Sequence, residues 1–163
     1  MRGRDHTIRA TVTIPDDGTA NGVVIALGSV LGGFSMYILD GRLCYAHNLV
    51  GKDITTIRAT DALAPGAHEL RFEYVGSPEF SGTLQLFVDD ISVARGPIAF
   101  FTPAQFSITG GGLTCGFEVG PAVSPDYVAP NRAAFTIHDV VVELFGEEHI
   151  DPIAQYVAIM SEQ

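Results

Sequence analysis

Alternation with a period of two runs through most of this chain. Ile8, Ala10, Val12 and Ile14 fall on one side, and Thr7, Arg9, Thr11 and Thr13 on the other. His68, Leu70, Phe72 and Tyr74 alternate against Glu69, Arg71, Glu73 and Val75, and Leu84, Leu86 and Val88 repeat the pattern. Successive side chains of a strand point to opposite faces, so each stretch reads as a half-buried strand. Val23 to Leu27 is a continuous apolar run, too short for a helix and rich in β-branched residues, and fits a more buried strand.

Turn chemistry punctuates these runs at short intervals. Pro15-Asp16-Asp17-Gly18 ends the first. Asp40-Gly41 lies between Phe34–Leu39 and Arg42–Leu49 and predicts a hairpin with positive φ at both central residues. Asp89-Asp90 predicts a second hairpin, and Ile54 to Thr60 another strand. Gly and Pro concentrate from Pro97 to Pro130, which predicts a long loop holding one or two short strands. Phe135 and Ile137 are out of phase with Val140, Val142 and Leu144, so a bulge is expected near His138-Asp139. About ten strands with no helix between them predict an all-β fold, an antiparallel sandwich or barrel, over residues 1–146. Asp151-Pro152 followed by Ile153, Val157 and Met160 predicts a short helix in the tail, residues 147–163.

Charge and length exclude several functions. The chain has 163 residues and a formal net charge of −10, so nucleic acid and anionic membrane are not expected partners, since both select a cationic face. No apolar run is long enough to span a bilayer, and the first residues lack the apolar stretch of a secretion signal. A cytoplasmic location is the expectation. Two cysteines, Cys44 and Cys115, make no disulfide framework.

Catalytic motifs are missing. Five histidines are scattered without metal-ligand spacing. Ser29 and Ser35 lack the Gly-x-Ser-x-Gly setting of a nucleophile elbow, and Gly28 to Gly33 lacks the lysine of a phosphate loop. Two features carry a candidate site. Glu118 and Asp126, with Ser124 and Tyr127 beside them, form a loop cluster suited either to Ca²⁺, which takes oxygen ligands, or to an interface; the plain alternative is a turn anchored by a packed tyrosine. Phe34, Tyr37 and Tyr45, with Phe72 and Tyr74, form an aromatic set able to serve as a sugar-stacking surface or as core. Glu69 and Glu73 share one strand face and are the only carboxylate pair that can be placed for glycoside hydrolysis.

Several segments, taken in order, resemble the C-terminal accessory β-domain of the large bacterial arylsulfatases. They are Asp5-His6-Thr7-Ile8, Gly32-Gly33-Phe34-Ser35-Met36-Tyr37, Asp40-Gly41-Arg42-Leu43 and Tyr45-x-x-Asn48. Leu63-x-Pro65-Gly66-x-His68-x-Leu70-Arg71-Phe72-Glu73, Leu86-Phe87-Val88-Asp89, Val123-Ser124-Pro125-Asp126-Tyr127 and Phe135-Thr136-Ile137 complete the series, from Asp5 to Leu144. The resemblance implies a jelly-roll sandwich of the concanavalin/laminin-G kind and a role beside a separate sulfatase catalytic domain, supplied in cis or in trans, or in a homo-oligomer. In that family a Cys/Ser-x-Pro/Ala-x-Arg motif of the catalytic domain matures to formylglycine. Neither Cys44 nor Cys115 is followed by that pattern, so no catalytic residue carries over and the chain alone is not expected to be an enzyme. It departs from the family at Thr114-Cys115-Gly116-Phe117-Glu118-Val119-Gly120, where one acid and one arginine of the family's loop are absent, and at Phe135-Thr136-Ile137, which is two residues shorter. A stand-alone carbohydrate-binding jelly-roll module is the alternative reading.

Overall fold

A computed structural model describes residues 4–77, 81–99 and 111–146. The expected tail helix lies outside them. Among the described residues, twelve strands form two five-stranded antiparallel sheets and a two-stranded ribbon. The first sheet, sheet A, runs β12(Thr136–Leu144), β1(His6–Ile14), β6(Gly66–Gly76), β7(Gly82–Val88), β8(Ile91–Ile98). The second, sheet B, runs β5(Asp53–Arg58), β4(Arg42–Leu49), β3(Gly32–Leu39), β2(Gly22–Ser29), β9(Leu113–Cys115). The ribbon pairs β10(Phe117–Glu118) with β11(Asn131–Arg132). This is the predicted all-β jelly-roll sandwich. No described helix is long and apolar enough to cross a membrane.

The turns follow their chemistry. Asp40 and Gly41 take φ of 50° and 73°, and Asp89 and Asp90 take 49° and 64°, so both hairpins use the turn whose twist matches the strands. In β12, Thr11 pairs with Asp139 and Val12 with Ile137, which leaves His138 as the extra residue of the expected bulge. In β2 a register shift between Val23 and Ile25 leaves Val24 unpaired. Val24 and Ile25 therefore both enter the main core while Val23 and Ala26 face the other way, which accounts for the unbroken apolar run.

The core lies between the sheets. Ile8, Ala10 and Val12 of β1 and Leu70, Phe72 and Tyr74 of β6 meet Phe34, Met36 and Ile38 of β3 and Leu43 and Tyr45 of β4. An aromatic stack crosses it: the Tyr45 and Phe72 rings lie 3.7 Å apart at 9°, Phe34 stacks on Tyr45 at 6.0 Å, and His6 touches Phe72 and Tyr74.

The stack carries one cost. The Tyr45 hydroxyl is fully buried and has no hydrogen-bond partner, and burial pushes its pKa up. Removing a buried, unsatisfied polar group relieves a desolvation penalty of about 1–3 kcal/mol. Tyr45→Phe is therefore expected to stabilise the protein by about 1 kcal/mol. Urea denaturation checks this; a destabilised variant would mean that the hydroxyl is satisfied by a bound water.

Candidate functional site

The two outer faces of the sandwich differ, and the difference decides where a ligand has access. On sheet B, Tyr37, Cys44, Val23 and Ala46 point away from the main core yet are buried, forming a second small apolar cluster with Tyr127 packed on it. The segment from Gly116 to Tyr127 covers them. It is tied down by backbone bonds from Gly116 N to the Val24 carbonyl at 2.9 Å and from Val30 N to the Pro121 carbonyl at 3.2 Å.

Side chains complete this clamp. The Tyr127 hydroxyl lies 2.5 Å from Glu118 Oε2, to which it donates, and 2.7 Å from the Ser35 hydroxyl. Glu118 Oε1 accepts from Val123 N at 3.0 Å. The Tyr37 hydroxyl donates to Asp126 Oδ2 at 2.5 Å and lies 3.3 Å from the Ser124 hydroxyl. Arg58 also reaches Asp126, at 3.2 Å. Asn48 donates to the Val123 carbonyl at 2.8 Å and accepts from Gly51 N at 2.7 Å. The Tyr37 and Tyr127 rings meet edge to face at 4.9 Å. Burial raises the pKa of Glu118, against the opposing pull of Tyr127 and Val123. Burial likewise raises Tyr37 and Tyr127, and lifts the Cys44 thiol to about 11, so these groups stay protonated at neutral pH.

The structure brings Glu118, Ser124, Asp126 and Tyr127 into one hydrogen-bonded cluster and adds Tyr37 to them. Their arrangement is that of an anchored turn. Each carboxylate is held by its own tyrosine, so a Ca²⁺ ion at Glu118 or Asp126 would have to displace a short hydrogen bond. Among the described residues no three His, Cys, Asp or Glu side chains gather as a metal site. The expected aromatic surface is corrected. Phe34, Tyr37 and Tyr45 are 0%, 1% and 0% exposed: Phe34 and Tyr45 point into the core, and Tyr37 lies under the clamp.

A cleft of about 560 Å³ opens where the clamp meets the β2–β3 turn, lined by Gly28, Ser29, Val30, Thr114, Val119 and Gly120. Backbones approach closely here. A methyl on Gly28 or Gly33 would sit 2.1 Å or 2.0 Å from a carbonyl oxygen of the facing strand. Glycine at these positions is a packing requirement.

Among the described residues, no segment covers the outer face of sheet A. Its outward residues form cross-strand rows: Glu143, Thr7, Glu73, Gln85, Arg95 in one, and Val141, Arg9, Arg71, Phe87, Ser92 in the next. Arg9 stands directly opposite Arg71, a like-charge pairing that costs stability unless neutralised. Glu143 at 3.3 Å and Glu69 at 3.7 Å neutralise Arg9, and Asp90 at 3.1 Å and Glu73 at 3.4 Å neutralise Arg71. The Arg71 guanidinium also lies 4.3 Å from the centre of the Phe87 ring. Glu69 and Glu73 share this face, as their alternation predicts. Four residues of strand separate them by about 13 Å along the backbone, and each is turned to an arginine. His68 is a rim residue, with Nδ1 2.6 Å from Asp89 and Nε2 2.8 Å from the Ala64 carbonyl.

No protein-family model matches the sequence, and no curated protein does. The fold itself has clear structural likenesses. The CBM40 of Ruminococcus gnavus IT-sialidase matches with a TM-score of 0.60 at 12% identity, over 96% of this chain and 83% of that one. The same domain has been solved bound to α2,6-sialyllactose. Domains LG4-5 of the mouse laminin α1 chain match with a TM-score of 0.60 at 14% identity, over 87% of this chain and 37% of that one. A heptameric SAP-like pentraxin from Limulus polyphemus matches with a TM-score of 0.54 at 14% identity, over 90% and 67%.

Proposed function

We propose that this chain is a carbohydrate-binding jelly-roll module that performs no chemistry of its own. The observation that carries this reading is the polar outer face of sheet A, set with ion-paired arginines and carboxylates and left uncovered among the described residues, on a sandwich whose other face is largely covered. Planar groups that donate and accept in pairs suit the paired hydroxyls of a sugar ring. The likeness to a sialidase module over nearly its whole length supports it. Affinity electrophoresis through gels holding single polysaccharides tests it, with calorimetry on the retained cases. Retention by at least one glycan is the expected result, and equal mobility in every gel would end the reading.

A second reading is favoured by one observation. Segments that carry the arylsulfatase resemblance converge on one clamp: Ser35 and Tyr37, Asn48, Val123, Ser124, Asp126 and Tyr127 are joined by the hydrogen bonds described above. Under it, the chain is an accessory domain that seats against a sulfatase catalytic domain or a second copy of itself. A chain that binds no glycan but associates with itself in light scattering, or with such a catalytic domain supplied in trans, would favour this reading.

A further inference from the structure

Resting on the carbohydrate-binding reading, we infer that the ligand is a neutral glycan laid across the open face of sheet A, centred on Phe87, Gln85 and Arg71. Three observations lead there. The first is access. On sheet B the Glu118–Tyr127 clamp covers the outer face of β2, β3 and β4 and leaves the edge strand β5 exposed, whereas the outward rows of sheet A carry no covering segment among the described residues.

The second is charge. The rows of sheet A and the adjoining turn hold Arg9, Arg71 and Arg95 against Glu69, Glu73, Glu143, Asp139 and Asp90. That is three cations against five anions, on a chain of formal net charge −10. Two of the three arginines are already engaged by two carboxylates each. A sialylated or sulfated ligand would meet net negative potential and would have to break these pairs to reach a cation. A neutral polyol meets no such barrier, and can donate to the carboxylates and accept from the guanidinium edges together.

The third is order before binding. Arg71 is held by Glu73, Asp90 and the Phe87 ring, and Gln85 by the Ser92 hydroxyl at 2.8 Å. Side chains fixed in advance lose little entropy on binding. A protein partner fits the face poorly: apart from Val141 and Phe87 the two central rows are polar, without the apolar centre that protein interfaces concentrate.

The test uses the full chain and a fixed panel of probes. Xylan, galactomannan and a mixed-linkage β-glucan stand for neutral glycans; sialyllactose and a sulfated galactan stand for anionic ones. Retention by a neutral polysaccharide is expected, falling at least tenfold in Gln85→Ala and Arg95→Ala. Both positions are solvent-facing, and melting curves verify that the variants fold. Val119→Ser, at the rim of the cleft beside the clamp, is expected to bind as the parent does. Binding of only the anionic probes would overturn the neutral assignment while leaving the carbohydrate reading intact. Loss of binding in Val119→Ser, with Gln85→Ala unaffected, would move the site to the cleft and overturn the placement. Absence of binding to every probe would overturn both.

Discussion

Acidification from pH 7 to pH 4 is expected to strip the fold of about 3 kcal/mol for each of two buried histidines. His6 and His47 are each 1% exposed, and burial lowers both from 6.5 to about 4. In the unfolded chain each takes up a proton near its ordinary value. Between about pH 6.5 and 4 the unfolded state therefore binds more protons than the native one, and stability falls as pH falls through that window. His6 also lowers the pKa of His47 by charge repulsion, so the two cannot both ionise without opening the core. Glu118 acts in the opposite sense. Its raised pKa makes its buried charge a cost at neutral pH that protonation relieves on acidification. With two histidines against one carboxyl, the net effect is acid lability. Melting temperature is expected to drop by on the order of 10–20 °C between pH 7 and 4, since a domain this size loses about 2–4 °C per kcal/mol. His47→Gln should remove about half of that slope. A melting temperature flat across the window would show that both rings are protonated, or reach solvent, in the native state.

Truncating Phe72 is expected to be the most damaging single core change, costing about 3–5 kcal/mol as Phe72→Ala. Its ring is fully buried at the centre of the stack, against Tyr45 from the opposite sheet and His6 from the neighbouring strand. Removal leaves a cavity between two sheets whose backbones are fixed by their own ladders, so the walls have little freedom to collapse. Phe72→Leu, which keeps most of the volume, should recover the greater part of the loss. Chemical denaturation of the three proteins decides this. A midpoint for Phe72→Ala within about 1 kcal/mol of the parent would show that the sheets close on the gap.

Local chemistry made the strands and hairpins legible. The alternation at Thr7–Ile14 and His68–Val75, the Asp40-Gly41 pair and the phase change before Val140 each depend on a few adjacent residues. Elements held by distant partners left weaker traces. β9, β10 and β11 span two or three residues each, too few for a period to show, and they exist because the glycine-rich segment lies against β2. The candidate site divides the same way. Glu118, Asp126 and Tyr127 stand out as polar and aromatic residues in a loop, but their tyrosine partners are set by tertiary packing. The aromatic set mixed two phases: Phe34 alternates with Met36 and Ile38 toward the core, and Tyr37 takes the opposite face. That distinction was readable in β3 itself. The cover over Tyr37 was not, because it comes from residues about ninety positions away. The ion-paired rows of sheet A were hidden for a related reason: Arg9 meets Arg71 only once the register of β1 against β6 is known.

The extra residue at His138 bears on how the molecule behaves in a crowded solution. β12 is the outer strand of sheet A among the described residues, and an outer strand offers its unpaired amides and carbonyls to any other extended chain. A straight run of nine residues would be a template for edge-to-edge sheet growth. The kink between Ile137 and Asp139 interrupts that template partway along, so a neighbouring copy cannot continue the ladder in register along the full strand. The same irregularity that shifts the phase of the sequence thus shortens the stretch of this edge that another extended chain can pair with.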